Sequence, residues 1–78
     1  MTRAYILLLT DPGTSGAVVE EVSRIPGVTS ALPVTGPYDV VLEVEARSVS
    51  DINRRVLPQV QRVQGVARTL TCPVIRIS

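Results

Sequence analysis

The 78-residue sequence contains no histidine, no tryptophan and no phenylalanine, and it has a single cysteine. One cysteine excludes an intrachain disulfide. Without histidine, the usual Cys/His donor set for a structural zinc is missing as well. Aromatic residues make up 3% of the chain, so a core must be assembled from Val, Leu and Ile. Charged residues, at 19%, fall below the roughly 25% typical of soluble domains. The net charge is +1, with no basic run and no interleaving of basic and aromatic residues. Nothing in that pattern is a nucleic-acid footprint. Arg54-Arg55 is the only basic doublet and reads as a solvated helix face. The apolar run Ala4–Leu9 is too short for a signal sequence or a membrane span. A free thiol without an export signal points to the cytoplasm.

What is present is aliphatic: 45% hydrophobic residues and a mean hydropathy of +0.29. Residues 1–78 are expected to form one small domain, and a domain of that size is marginal alone. With no disulfide and no metal to support it, self-association is the natural supplement. Surplus aliphatic surface would then be covered by a partner.

The stretch Thr35–Ala46 organises the chain. Gly36-Pro37 signals a turn. After it Val40, Leu42 and Val44 alternate with Val41, Glu43 and Glu45, the two-residue period of a strand with one face in the core. Arg3–Thr10 reads as strand 1. Ala4, Ile6 and Leu8 lie on one side and Tyr5, Leu7 and Leu9 on the other, so both faces are apolar and the strand is central. Asp11-Pro12-Gly13 ends it, and Thr14 or Ser15 offers an N-cap. Helix 1 then runs to about Ile25 with the stripe Val18/Val22/Ile25, until Pro26-Gly27 stops it. Val28–Val34 is strand 2, with Val28, Ser30, Leu32 and Val34 on one face. Pro33 on the other face marks an edge strand. Ser48 opens helix 2 with a capping-box pattern to Asp51. Its stripe includes Ile52, Val56 and Val60, and Pro58 is expected to kink or divide it. Val66–Ile77 reads as strand 4, bent at Pro73.

Arg24-Ile25-Pro26-Gly27-Val28 is echoed 38 residues later by Arg62-Val63-Gln64-Gly65-Val66. A strand–helix–strand unit used twice in so short a chain predicts one split-βαβ domain. The expected fold is α+β, ferredoxin-like (βαββαβ). Its four-stranded antiparallel sheet has order 4-1-3-2, with both helices on one face. The bare face is then expected to pack on a second copy, in the manner of dimeric α+β barrels.

The element order, Ile25-Pro26-Gly27-Val28, the hairpin Thr35-Gly36-Pro37-Tyr38-Asp39-Val40-Val41 and the segment Gly65–Thr71 together resemble the effector-binding (RAM) domain of the Lrp/AsnC regulators. The sequence departs from the pattern at Gln64, where a second Pro is expected, and at Pro73. Family members usually carry an N-terminal helix-turn-helix. This sequence opens at strand 1 and so resembles a stand-alone RAM domain, for which direct DNA binding is not expected. The resemblance implies homodimers that assemble further into octamers or decamers. It also implies a small effector, typically an amino acid, held between dimers, and a transcription regulator as partner. It implies no cofactor. By position, the ligand-binding candidates are Gly36, Tyr38 and Asp39 on the hairpin and Thr69 and Thr71 on strand 4.

Each candidate has an ordinary role beside the functional one. Asp39 could receive an α-ammonium group or satisfy N–H groups of a turn. Tyr38 could wall a pocket or pack in an interface. Thr69 and Thr71 could bind a ligand or be ordinary strand residues. Gly36 provides a backbone conformation. Glu43 and Glu45 form a polar rim, since an acid/base pair would need a nucleophile or a metal beside it. Cys72 has no neighbour in sequence that would activate it and reads as a buried structural thiol. Ser15-Gly16 lacks the context of a nucleophile elbow or a phosphate loop. A small α+β barrel enzyme of monooxygenase or isomerase type shares this fold, but the missing His, Trp and Phe speak against it. A purely structural oligomerisation module is the other alternative.

Overall fold

A computed structural model describes residues 1–75. The elements are β1 (Thr2–Thr10), α1 (Ser15–Val22), β2 (Val28–Pro33), β3 (Val40–Ala46), α2 (residues 49–61) and β4 (Val66–Pro73). The four strands form one antiparallel sheet in the order β2-β3-β1-β4, the expected order read from its other edge. β1 is central and β2 is an edge, as their apolar patterns and Pro33 require.

The period-two pattern places the core on one side of the sheet. Ala4, Ile6 and Leu8 of β1 and Val40, Leu42 and Val44 of β3 are fully buried. They lie beneath Val18 and Val22 of α1 and Ile52, Val56 and Val60 of α2. These eleven side chains are all aliphatic, and among the described residues no polar or charged residue is buried. Ile25 only packs against the margin of this cluster, because α1 ends at Val22, short of its expected limit. The Thr14 cap also departs from expectation. Its hydroxyl donates to the Asp11 carbonyl oxygen at 2.7 Å and caps no helical N–H. Ser48 does cap, accepting from the Asp51 N–H at 3.1 Å.

α2 shows how a helix absorbs Pro58. It has an α-helical start (Val49–Asp51), a π-helical stretch (Ile52–Val56) and an α-helical end (Leu57–Gln61). In a regular α-helix the proline ring would collide with the Arg54 carbonyl and could donate no bond to it. The wider turn avoids this: the Leu57 N–H reaches back five residues to the Ile52 oxygen. The Gln59 side-chain amide donates to the Arg55 carbonyl at 2.9 Å. The helix is thus divided in its hydrogen bonding while it stays continuous.

The internal repeat is visible in bonds. The Glu45 N–H donates to Gly27 O and the Asp11 N–H to Gly65 O, both at 2.8 Å. The two glycines have φ of +99° and +101°, in the left-handed region. Each therefore ties the turn before an edge strand to the end of a central strand from the other half.

Two details of the strands differ from expectation. A register shift between Val28 and Ser30 puts Val28 opposite Val44 on the helix side, while Ser30 and Leu32 oppose Glu43 and Val41 on the open side. Val28 therefore does not share a face with Leu32. β4 ends at Pro73, and Val74 and Ile75 follow outside the strand. Arg76 and Ile77, expected to extend it, lie outside the described residues. No helix among the described residues is long and apolar enough to cross a membrane.

A Cβ at Gly65 would meet Thr14 Oγ1 at 2.8 Å and Val18 Cγ2 at 3.0 Å, whereas a Cβ at Gly13 (φ +79°) would meet nothing within 4 Å. Gly13→Ala should therefore cost only the backbone strain, about 1 kcal/mol. Gly65→Ala adds a clash beside the core and should cost about 2–4 kcal/mol. Urea unfolding of the two variants checks this; equal losses would contradict the close approach at Gly65.

Candidate functional site

The expected site residues fall into two groups. The first is the β2–β3 hairpin. The Val34 N–H donates to Asp39 O at 2.9 Å and closes the loop. Gly36 within it has φ +136°, and a Cβ there would meet nothing within 4 Å, so the glycine serves backbone conformation alone. The Asp39 N–H donates to Leu8 O at 2.8 Å, which attaches the hairpin to β1. The Asp39 carboxylate repeats that attachment. Its Oδ2 accepts from the Thr10 N–H at 2.8 Å and from the Thr10 hydroxyl at 3.2 Å. Thr10 Oγ1 in turn lies 3.1 Å from Ser15 Oγ at the start of α1. The carboxylate thus receives an end-of-strand N–H that the sheet ladder leaves over. It ties hairpin, central strand and helix together.

This arrangement holds Tyr38, next in the chain, on a fixed backbone. Tyr38 is half-buried, and its hydroxyl makes no hydrogen bond among the described residues. Asp39 Oδ1 likewise makes none.

The second group, Thr69 and Thr71, lies on the helix side of β4, opposite Leu8 and Ile6 of β1. Thr69 Oγ1 accepts from the Gln61 side-chain amide at 3.3 Å. Thr71 Oγ1 is buried and has no hydrogen-bond partner among the described residues. β1 stands between these threonines and β3, so they are two strand spacings, roughly 10 Å, from the hairpin's strand. A single chain therefore brings Gly36, Tyr38 and Asp39 together but does not bring Thr69 and Thr71 to them.

Thr10 and Ser15 are neighbours of the candidate residue Asp39 that sequence reasoning missed. Asp39 and Thr10 are 29 residues apart, and no local pattern announces that pairing. Cys72, expected buried, is exposed. It sits on the open face of an edge strand, opposite Tyr5, where no helix covers it. A cleft of about 520 Å³ opens elsewhere, between α1 and the end of α2, lined by Thr14, Glu21, Gln59, Arg62 and Gln64 among others. Among the described residues no group of three Asp, Glu or Cys side chains could hold a metal ion.

Comparison with known proteins bears on this geometry. Residues 3–78 match the family model described as the Lrp/AsnC ligand binding domain. An uncharacterized HTH-type transcriptional regulator of Pyrococcus horikoshii, PH1916, is 37% identical over 73 residues, which cover 90% of this chain and 49% of the relative. The chain spans about half the length of the curated regulators it matches. A homocitrate synthase of Sulfurisphaera tokodaii is 35% identical over 60 residues, covering 77% of this chain and 13% of the enzyme. The crystal structure of TTHA0845 from Thermus thermophilus superposes with a TM-score of 0.90 at 29% identity, covering 100% of this chain and 98% of that one.

Removing the Asp39 carboxylate leaves the Thr10 N–H without its acceptor. Asp39→Ala should destabilise the fold by about 1.5–3 kcal/mol, and Asp39→Asn, which keeps one acceptor oxygen, by about half as much. Thermal unfolding of both variants checks the order; an unchanged midpoint for Asp39→Ala would contradict the tie to β1.

Proposed function

The chain belongs to the Lrp/AsnC ligand-binding domain family, and from that premise we propose that it is a non-catalytic regulatory module that takes up a small effector, an amino acid, as a homo-oligomer. The observation that carries this reading is the extent of the family match, residues 3–78. The homocitrate synthase similarity supports it in another way. The same segment forms 13% of a much longer enzyme, as expected of a module joined to different partners. In this reading the chain works in the cytoplasm, with a transcription regulator as its partner.

The proposed site uses the free edge of the hairpin. Asp39 Oδ1 would accept from the α-ammonium group, the Tyr38 ring would wall the side chain, and backbone N–H groups would hold the α-carboxylate. Thr69, half-buried on the edge strand β4, would join from a neighbouring copy, whereas the Thr71 hydroxyl is buried on the helix side and would need that side to open before it met a ligand. Such a site is complete only in an assembly.

The sheet supports assembly. On the side away from the helices, Leu32, Val41, Leu7 and Leu70 form one aliphatic row across all four strands. Leu32 is 58% and Leu70 45% exposed. Covering several hundred Å² of apolar surface at roughly 25 cal/mol per Å² contributes several kcal/mol. That is comparable to the whole stability of a small domain, about 5–15 kcal/mol. We therefore read the open face as the contact of a face-to-face homodimer.

Calorimetric titration with the twenty amino acids tests the effector. At least one should release heat, and Tyr38→Ala should weaken it about tenfold or more while shifting folding stability by less than about 0.5 kcal/mol. Absence of heat from all twenty would overturn the amino-acid reading.

A further inference from the structure

The cleft between α1 and the end of α2 shares no lining residue with the hairpin. Its volume, about 520 Å³, lies within the roughly 300–1,000 Å³ of small-molecule pockets. α1 lines it with Ala17 and Glu21. The end of α2 and the turn after it line it with Gln59, Arg62, Val63 and Gln64.

The internal repeat separates what the fold requires here from what it does not. Glu21, Arg24 and Pro26 of the first half correspond, 38 residues on, to Gln59, Arg62 and Gln64 of the second. In the first half Glu21 holds Arg24 at 3.2 Å, one turn away, and Pro26 stiffens the turn. The second half keeps neither feature. Gln59 carries no charge, so Arg62 lacks the partner that its counterpart has, and among the described residues it forms no ion pair. The backbone at Gln64 repeats that at Pro26. The Ile25 N–H donates to Val22 O and the Val63 N–H to Val60 O, both at 3.1 Å, and the glycine that follows has the same left-handed φ in each half. The Gln64 N–H makes no backbone hydrogen bond among the described residues. A proline would therefore fit, and it would stabilise the fold by restricting the unfolded chain. Gln64 instead brings the cleft a side-chain amide that makes no hydrogen bond among the described residues.

Glu21 on one wall and Arg62 on the other carry opposite charges, yet they do not close into an ion pair across the cleft. Glu21 Oε2 makes no hydrogen bond among the described residues. Gln59 Nε2 is engaged by the Arg55 carbonyl oxygen, which leaves its Oε1 to accept. The Gln64 amide is free both to donate and to accept. A complementary ligand has a cation at one end, a carboxylate at the other and a neutral unit with both donor and acceptor between them. A bare anion would satisfy Arg62 but meet the Glu21 carboxylate. A single amino acid holds both charges on one carbon and has no amide link between them. A peptide of two or three residues reaches roughly 7–11 Å, further than an ion pair, and its own N–H and C=O groups match the glutamines.

We propose that this cleft is a ligand site for a short peptide with both ends free. Glu21 receives the terminal ammonium and Arg62 pairs with the terminal carboxylate, in the two-pronged way of a guanidinium. Gln59 and Gln64 bond the peptide link, and Ala17 and Val63 lie against its side chains. The proposal does not rest on the amino-acid reading above.

The test is calorimetry and heteronuclear NMR of the full chain with L-alanyl-L-alanine as the probe. The dipeptide should bind saturably and shift the amide signals of Ala17, Val63 and Gln64. Acetylating its amine or amidating its carboxylate should weaken binding about fivefold or more, and so should Glu21→Gln or Arg62→Gln. Gln64→Pro should keep the thermal midpoint yet weaken binding about threefold or more; if it fails to fold, Gln64→Ala replaces it. Arg54→Gln, outside the cleft, should bind as the wild type does. No saturable signal from the dipeptide, shifts gathered at the hairpin, or equal binding of the blocked dipeptides would each overturn the proposal. So would free alanine that binds the cleft as tightly as the dipeptide. Heat from an amino acid with none from the dipeptide overturns this proposal and leaves the effector reading standing; the reverse result overturns the effector reading alone.

Discussion

The pairing of β1 with both β3 and β4 is the interaction on which the rest of this molecule depends. Through it Ala4, Ile6 and Leu8 enter the core while Tyr5, Leu7 and Leu9 emerge on the other side. The end of the same strand anchors both loops that matter: Leu8 O and Thr10 receive the hairpin through Asp39, and the Asp11 N–H reaches Gly65. A slip of one residue in this register would exchange the two faces of β1. It would also move the Thr10 N–H away from the Asp39 carboxylate. Core, open face and hairpin are therefore set by one alignment.

The two halves use the same scaffold for different ends. Gly27 and Gly65 make matching bonds at matching backbone angles, so the repeat is structural as well as textual. The departures are concentrated in the second half and at the join. α2 takes a π-helical stretch before Pro58, and the connection between the halves is the hairpin that presents Tyr38. A duplicated frame supplies rigidity, and the residues that break its symmetry are those of the hairpin and of the π-helical stretch.

Much of the fold was legible because it follows from short-range patterns. Alternation in Val40–Val44 and in Ala4–Leu9, the proline in β2 and the 38-residue echo suffice for four strands, their order and the single helical layer. What was not legible depends on contacts between distant residues. The Thr14 hydroxyl has two local options, and tight packing at Gly65 accompanies its turn toward Asp11. The shift at Thr29 that separates Val28 from Leu32 is imposed by β3. Asp39 next to a turn suggested a local role, but its partner lies on β1. Cys72 reads as a buried thiol because nothing beside it in sequence would activate it; its face, set by the pairing with Tyr5, is the uncovered one.

On the function proposed above, these features belong to a module whose working surfaces are only half present in one chain. The hairpin presents a tyrosine and a carboxylate oxygen without their complement, and the sheet presents an aliphatic row without cover. Small-angle X-ray scattering along a dilution series tests this most directly. One chain has a Cα radius of gyration of 11.8 Å, and two packed chains of this length should give about 15 Å. The larger value is expected, falling toward the smaller one only on strong dilution. A radius that stays near that of one folded chain at every concentration would contradict a module completed by its own second copy.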